Sequence, residues 1–77
     1  APRQSSLSFT ERKRLDDLPA QIARLEAEIA KLAALLADPE LFTREPVKYR
    51  KATEALADRQ SALETAESDW LDLAERA

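Results

Sequence analysis

Arg44, Lys48 and Lys51 recur at steps of four and three, the spacing that places side chains along one helical face, and Arg50 stands between the two lysines. Phe42 and Tyr49 adjoin them. Basic groups contact phosphates and aromatic rings stack on unpaired bases, so the cluster has the residue types of a nucleic-acid contact. A second basic run, Arg12, Lys13 and Arg14, lies near the start of the chain. The bland alternative for both runs is a solvated helix face, with Phe42 and Tyr49 closing a turn.

The charge distribution sharpens the case. The net charge is −3, yet residues 1–15 and residues 43–53 each carry four basic groups against one acidic group. Everything else is strongly acidic, so the positive charge is confined to two patches. Among the carboxylates, Asp16 and Asp72 come level in the register derived below, with Asp17 and Asp69 near them. Oxygen ligands suit calcium, but calcium sites also draw on loop carbonyls that a helix withholds, which favours hydrated helix exteriors. As an acid–base pair they would need a cavity to exclude water and shift a pKa, and a thin fold offers none.

Other chemistry is removed by composition. There is no glycine, histidine or cysteine in the 77 residues. A phosphate-cradling loop needs glycine so that backbone amides can approach the anion. Zinc, haem, thiol and Ser-His chemistries each lack a necessary group. The chain reads as non-catalytic, with no cofactor of its own, and the lack of disulfides is compatible with a reducing cytoplasm. No apolar run is long enough to span a membrane, so no membrane partner is expected.

The elements that must position these residues are legible. Alanine, leucine, glutamate and arginine dominate, as in long helices. Ser8-Phe9-Thr10-Glu11 has the spacing of a capping box, so a helix is expected to start there, after a polar stretch over residues 1–7 with the character of a linker. The chain begins without methionine and reads as a piece of a longer polypeptide, with 8–77 as the folded domain. Leu15, Leu18, Ile22, Leu25, Ile29, Leu32 and Leu36 then alternate steps of three and four, a heptad seam. Pro19 interrupts the backbone hydrogen bonding inside that seam while the phase survives, so a bend is expected and not a reversal.

The seam stops at Asp38-Pro39-Glu40-Leu41-Phe42-Thr43-Arg44-Glu45-Pro46, where Asp38 and Thr43 are candidate N-caps. A second helix is expected from about Pro46 onward, with seam positions Tyr49, Ala52, Leu56, Arg59, Leu63, Ala66, Trp70 and Leu73. Facing residues of an antiparallel pair have numbers with a constant total, and from Leu15 with Leu73 to Leu36 with Ala52 every layer totals 88. The expected fold is all-α: an antiparallel two-helix coiled-coil hairpin whose first arm is kinked near Pro19. In that register Trp70 is expected to be buried against Leu18, and Arg59 to lay its methylenes across Ile29 and send its guanidinium to solvent. Ala33, Leu35, Ala55 and Ala62 flank the seam and leave an apolar strip that could pair weakly with a second copy.

With these residues laid out, the chain resembles the C-terminal domain of Uup-type ABC-F ATPases. The resemblance rests on Leu7-Ser8-Phe9 leading to Glu11 and Arg12, on Leu18-Pro19, on the Leu36-to-Phe42 turn, and on Trp70-Leu71-Asp72-Leu73. Arg59 departs from it, since such domains are usually apolar there. The resemblance implies a cytoplasmic parent ATPase whose upstream cassettes bind ATP and magnesium, acting on or near ribosomes. It also implies DNA binding by this hairpin. The expected contacts are Arg44, Lys48, Arg50 and Lys51, then Arg12, Lys13 and Arg14. The partner would be DNA or ribosomal RNA, the alternative being an arm that contacts the ribosome, the parent's ATPase domains or another copy. The domain is expected to be a monomer or a weak homodimer.

Overall fold

The structure, a computed structural model, describes residues 7–77; most of the linker expected over 1–7 lies outside them. The first helix, α1, spans Phe9–Leu36 and begins as its capping box requires. The Glu11 amide donates to the Ser8 hydroxyl at 3.1 Å, and the Ser8 amide donates to the Glu11 carboxylate at 3.0 Å. Two amide donors that would otherwise lack helical partners are thereby satisfied. Pro19 lies inside α1, which continues through it without a break, so its missing donor costs one hydrogen bond and leaves the element whole.

The chain then reverses with no glycine and with no positive φ at any described residue. Ala37 ends α1 in a right-handed helical conformation. The Glu40 amide donates to the Asp38 carboxylate at 2.9 Å, and the Leu41 amide to the Asp38 carbonyl at 3.2 Å. Asp38 thus holds the turn by the side-chain-to-backbone bonding expected of aspartate. A single-turn helix, α2, follows over Leu41–Arg44 and buries Leu41. Thr43, expected as an N-cap, lies within α2 and donates its hydroxyl to the Glu40 carbonyl at 3.0 Å. Glu45 takes the N-cap position instead, because its non-helical backbone (φ −138°, ψ 72°) separates α2 from the last helix, α3, over Pro46–Arg76. Pro46 in the first helical position loses nothing, since its amide would have had no helical partner.

α1 and α3 pack along their length as a helical hairpin, and α2 packs on α3 at the closed end. The apolar core is thin, as expected for so short a chain. Leu18, Leu25, Ala66 and Leu73 are buried together with Leu7, while Leu15, Ile22, Ala62 and Leu63 are half-buried against them. Leu7, read from the sequence as the last linker residue, therefore packs with the core. Ion pairs across the hairpin join Arg59 to Glu28 and Arg76 to Glu11, whose numbers each total 87, one short of the seam value. Arg14 with Asp69 closes a third.

Two expectations change. Trp70 is 37% exposed, because it lies on the rim of an open groove with Pro19, Ile22, Glu67 and Leu71 and is covered on one side only. Arg59 does not send its guanidinium simply to solvent: Nε donates to Glu28 at 2.7 Å and Nη1 to Asp58 at 2.6 Å, so the charge in the seam is matched from both helices. Of the flanking strip, Leu35, Ala55 and Ala62 are half-buried and Ala33 is exposed.

A candidate nucleic-acid-binding tip

At the closed end, α2 and the first turns of α3 carry the four basic residues expected there, and only Lys48 and Lys51 of the four share one groove. Arg44, Lys48, Arg50 and Lys51 are all exposed. Lys48 and Lys51, one turn apart on α3, line a shallow open groove with Glu45, Pro46 and Val47. Arg50 is two positions from Lys48 and so points away from that groove. Arg44 belongs to α2, and the non-helical Glu45 separates it from the α3 face that sequence spacing had assigned to it. Its guanidinium donates to Glu40 at 2.6 Å, one turn back. Among the described residues, Lys48, Arg50 and Lys51 enter no ion pair. Glu45 provides no side-chain cap to α3, so its first-turn amides add a partial positive charge at the same end.

The aromatic pair has a definite geometry. Phe42 and Tyr49 meet edge to face with ring centroids 5.2 Å apart and planes at 75°. Such contacts are worth about 0.5–1.5 kcal/mol beyond burial, so the pair helps to close the tip. Tyr49 is half-buried, whereas Phe42 remains 61% exposed and keeps a free ring face. Val47, which the sequence reading passed over, is 54% exposed beside Lys48. Its β-branched side chain in a helical register carried no warning that its face is unpartnered.

The second basic run is placed differently. Lys13 pairs with Asp17 at 3.6 Å and Arg14 pairs with Asp69. Arg12 lies with Phe9, Lys13, Asp16 and Asp17 around a shallow cleft. Two of its three positive charges are thus matched locally. The same pairings account for three of the four carboxylates considered for a cation: Asp17, Asp69 and Asp72 face Lys13, Arg14 and Arg76, while Asp16 enters no ion pair among the described residues. No group of three or more acidic side chains among the described residues is arranged to hold a metal.

One carboxyl group is shifted. Glu11 is held below the ordinary glutamate value, first by the Ser8 amide of the capping box and then by the Arg76 guanidinium at 3.1 Å. It belongs to the fold's electrostatics and lies at the opposite end from the tip.

None of the described helices is long and apolar enough to cross a membrane. The family described as the ABC transporter C-terminal domain matches residues 6–75. The ATP-binding protein Uup of Caulobacter vibrioides is 44% identical over 77 residues, covering 99% of this chain and 13% of that protein. The ATP-binding proteins Uup-like and Uup of Haemophilus influenzae are each 36% identical over 75 residues. They align with 97% of this chain and with 16% and 12% of their own lengths. No solved structure matches. The chain thus spans between about an eighth and a sixth of the length of these relatives. The chain belongs to the ABC transporter C-terminal domain family, as a C-terminal domain of the kind carried by Uup-type ABC-F proteins.

Proposed function

We propose that this hairpin is a non-catalytic binding module of a cytoplasmic Uup-like ATPase, whose tip contacts DNA weakly and without sequence preference. The supporting observation is that Lys48, Arg50 and Lys51, in the first turns of α3, are exposed and without ion-pair partners among the described residues, at the end where an exposed Phe42 packs on Tyr49. Phosphates would be met by the two lysines of the α3 groove and by Arg50, while Phe42 offers a ring face to a base. Arg44 would contribute by exchanging Glu40 for a phosphate. Base edges carry the sequence code, and four flexible cations reading phosphate do not sense it. ATP and magnesium belong to the parent's upstream domains in this reading. The residues here do not fit them, since a chain without glycine forms no phosphate-cradling loop.

Fluorescence anisotropy of labelled single-stranded and duplex DNA tests the proposal. With three or four cations engaged, the logarithm of affinity should fall with the logarithm of salt at a slope of about −3. Replacing Arg44, Lys48, Arg50 and Lys51 with glutamine should abolish binding and leave the melting temperature unchanged. The same change at Arg12, Lys13 and Arg14 should do less. Absence of binding at low ionic strength, or indifference to the four tip substitutions, would refute it.

A further inference from the structure

Near the other end of the hairpin, Pro19 and Ile22 of α1 face Glu67, Trp70 and Leu71 of α3 across an open apolar groove. Trp70 is 37% exposed and Leu71 is 55% exposed, two large apolar side chains adjacent in sequence and left to water. Around them acidic groups outnumber basic ones, although Lys13, Arg14 and Arg76 reach in from outside to pair with some of them. Segments 16–28 and 64–75 carry nine acidic residues and a single basic one, Arg24. Four of the nine, Asp17, Glu28, Asp69 and Asp72, are matched by arginine or lysine. The other five, Asp16, Glu26, Glu64, Glu67 and Glu75, enter no ion pair among the described residues. Their positions are not scattered. Glu67 lines the groove itself, and each of the others stands one helical turn from a groove residue: Asp16 before Pro19, Glu26 after Ile22, Glu64 before Glu67 and Glu75 after Leu71.

We propose that this groove docks an amphipathic protein helix that carries lysine or arginine beside its apolar residues. The apolar floor supplies the buried anchor, and the perimeter of unmatched carboxylates selects the sign of the partner's charge. Nucleic acid and anionic lipid are repelled by the same perimeter. An isologous pair of hairpins would set Glu67 and its neighbours against their own copies, which like-charge repulsion disfavours. The site is independent of the tip, and neither reading requires the other.

Trp70 is the chain's only tryptophan, so its emission reports on the groove without a label. The probes are a synthetic helical peptide of leucine and lysine and its leucine–glutamate counterpart, titrated into the 77-residue chain. The lysine peptide should move Trp70 emission to shorter wavelength and saturate, while the glutamate peptide at equal concentration should leave it unchanged. Glu64→Gln with Glu67→Gln should weaken the lysine peptide about five- to tenfold, as expected for two exposed charge contacts. Leu71→Ser should weaken it with no loss of helical signal; if that signal falls, the glutamate pair decides alone. Glutamine at Arg44, Lys48, Arg50 and Lys51 should change nothing. No emission shift, an equal shift with both peptides, or indifference to the Glu64 and Glu67 changes would overturn the proposal. So would an emission shift that grows with protein concentration alone and is lost with Lys48→Gln and Lys51→Gln, which would assign the groove to the basic tip of a second copy.

Discussion

Leu18→Ala is the most decisive perturbation of the fold. Leu18 is 1% exposed, and among the described residues it is the largest side chain so fully enclosed. The substitution removes about three methylene equivalents at about 0.8 kcal/mol each, or about 2.4 kcal/mol, before any cavity contribution. Leucine-to-alanine changes in thick cores reach about 5 kcal/mol. A hairpin two helices thick can close around the gap, which places the expected loss near 3 kcal/mol. A domain of this size holds about 4–12 kcal/mol in all, at about 0.05–0.15 kcal/mol per residue. The melting temperature, followed by far-UV circular dichroism, should fall by about 12–24 °C. Trp70→Ala is the matched comparison: its side chain is much larger, but 37% exposure reduces an expected 3–5 kcal/mol to about 2–3. A Leu18→Ala shift under about 5 °C, or a Trp70→Ala loss clearly exceeding that of Leu18→Ala, would refute the assignment of the core to the leucine–alanine layers.

Ser8→Ala should cost about 1 kcal/mol, read by urea denaturation, because it removes the hydroxyl that accepts from the Glu11 amide. Glu11 is depressed in the folded state, so its contribution is full above the ordinary glutamate pKa and lost as pH falls below it through the folded value. Glu11→Gln keeps an oxygen for the cap and removes the charge facing Arg76, so stability measured from neutral pH down to about pH 3 should lose part of its acid-limb slope. Arg59→Leu should be neutral or stabilising by up to about 1 kcal/mol in thermal melts, because half-exposed ion pairs contribute little and the seam position would gain an apolar side chain.

Most of the fold was legible because its signals were local and redundant. The capping box at Ser8 and Glu11, the alternation of threes and fours from Leu15 to Leu36, and the constant facing total each pointed to one antiparallel arrangement. Where reading failed, the deciding quantity was not in the sequence. Whether Trp70 enters the core depends on the space available beside the facing helix, and periodicity marks a seam position without measuring that space. Thr43 has the chemistry of an N-cap, but the backbone turned helical two residues before it and passed that position to Glu45. The basic tip was visible as composition. That Arg44 sits on its own short helix and is paired with Glu40 required coordinates, as did the absence of ion pairs for Lys48, Arg50 and Lys51 among the described residues.

The segregation of charge along α3 has a further consequence. Lys48 and Glu67 are 19 positions apart on one helix, about 28 Å at 1.5 Å per residue. The screening length in physiological salt is about 8 Å, so more than three such lengths lie between the basic tip and the acidic groove. The tip then presents its unpaired cations and the groove its unmatched carboxylates, each without the other's influence, and the net charge of −3 describes neither. In about 0.01 M salt the screening length grows to about 30 Å and the two ends come within each other's fields. A rod of this length behaves electrically as two separate bodies in the cell and as one in dilute buffer.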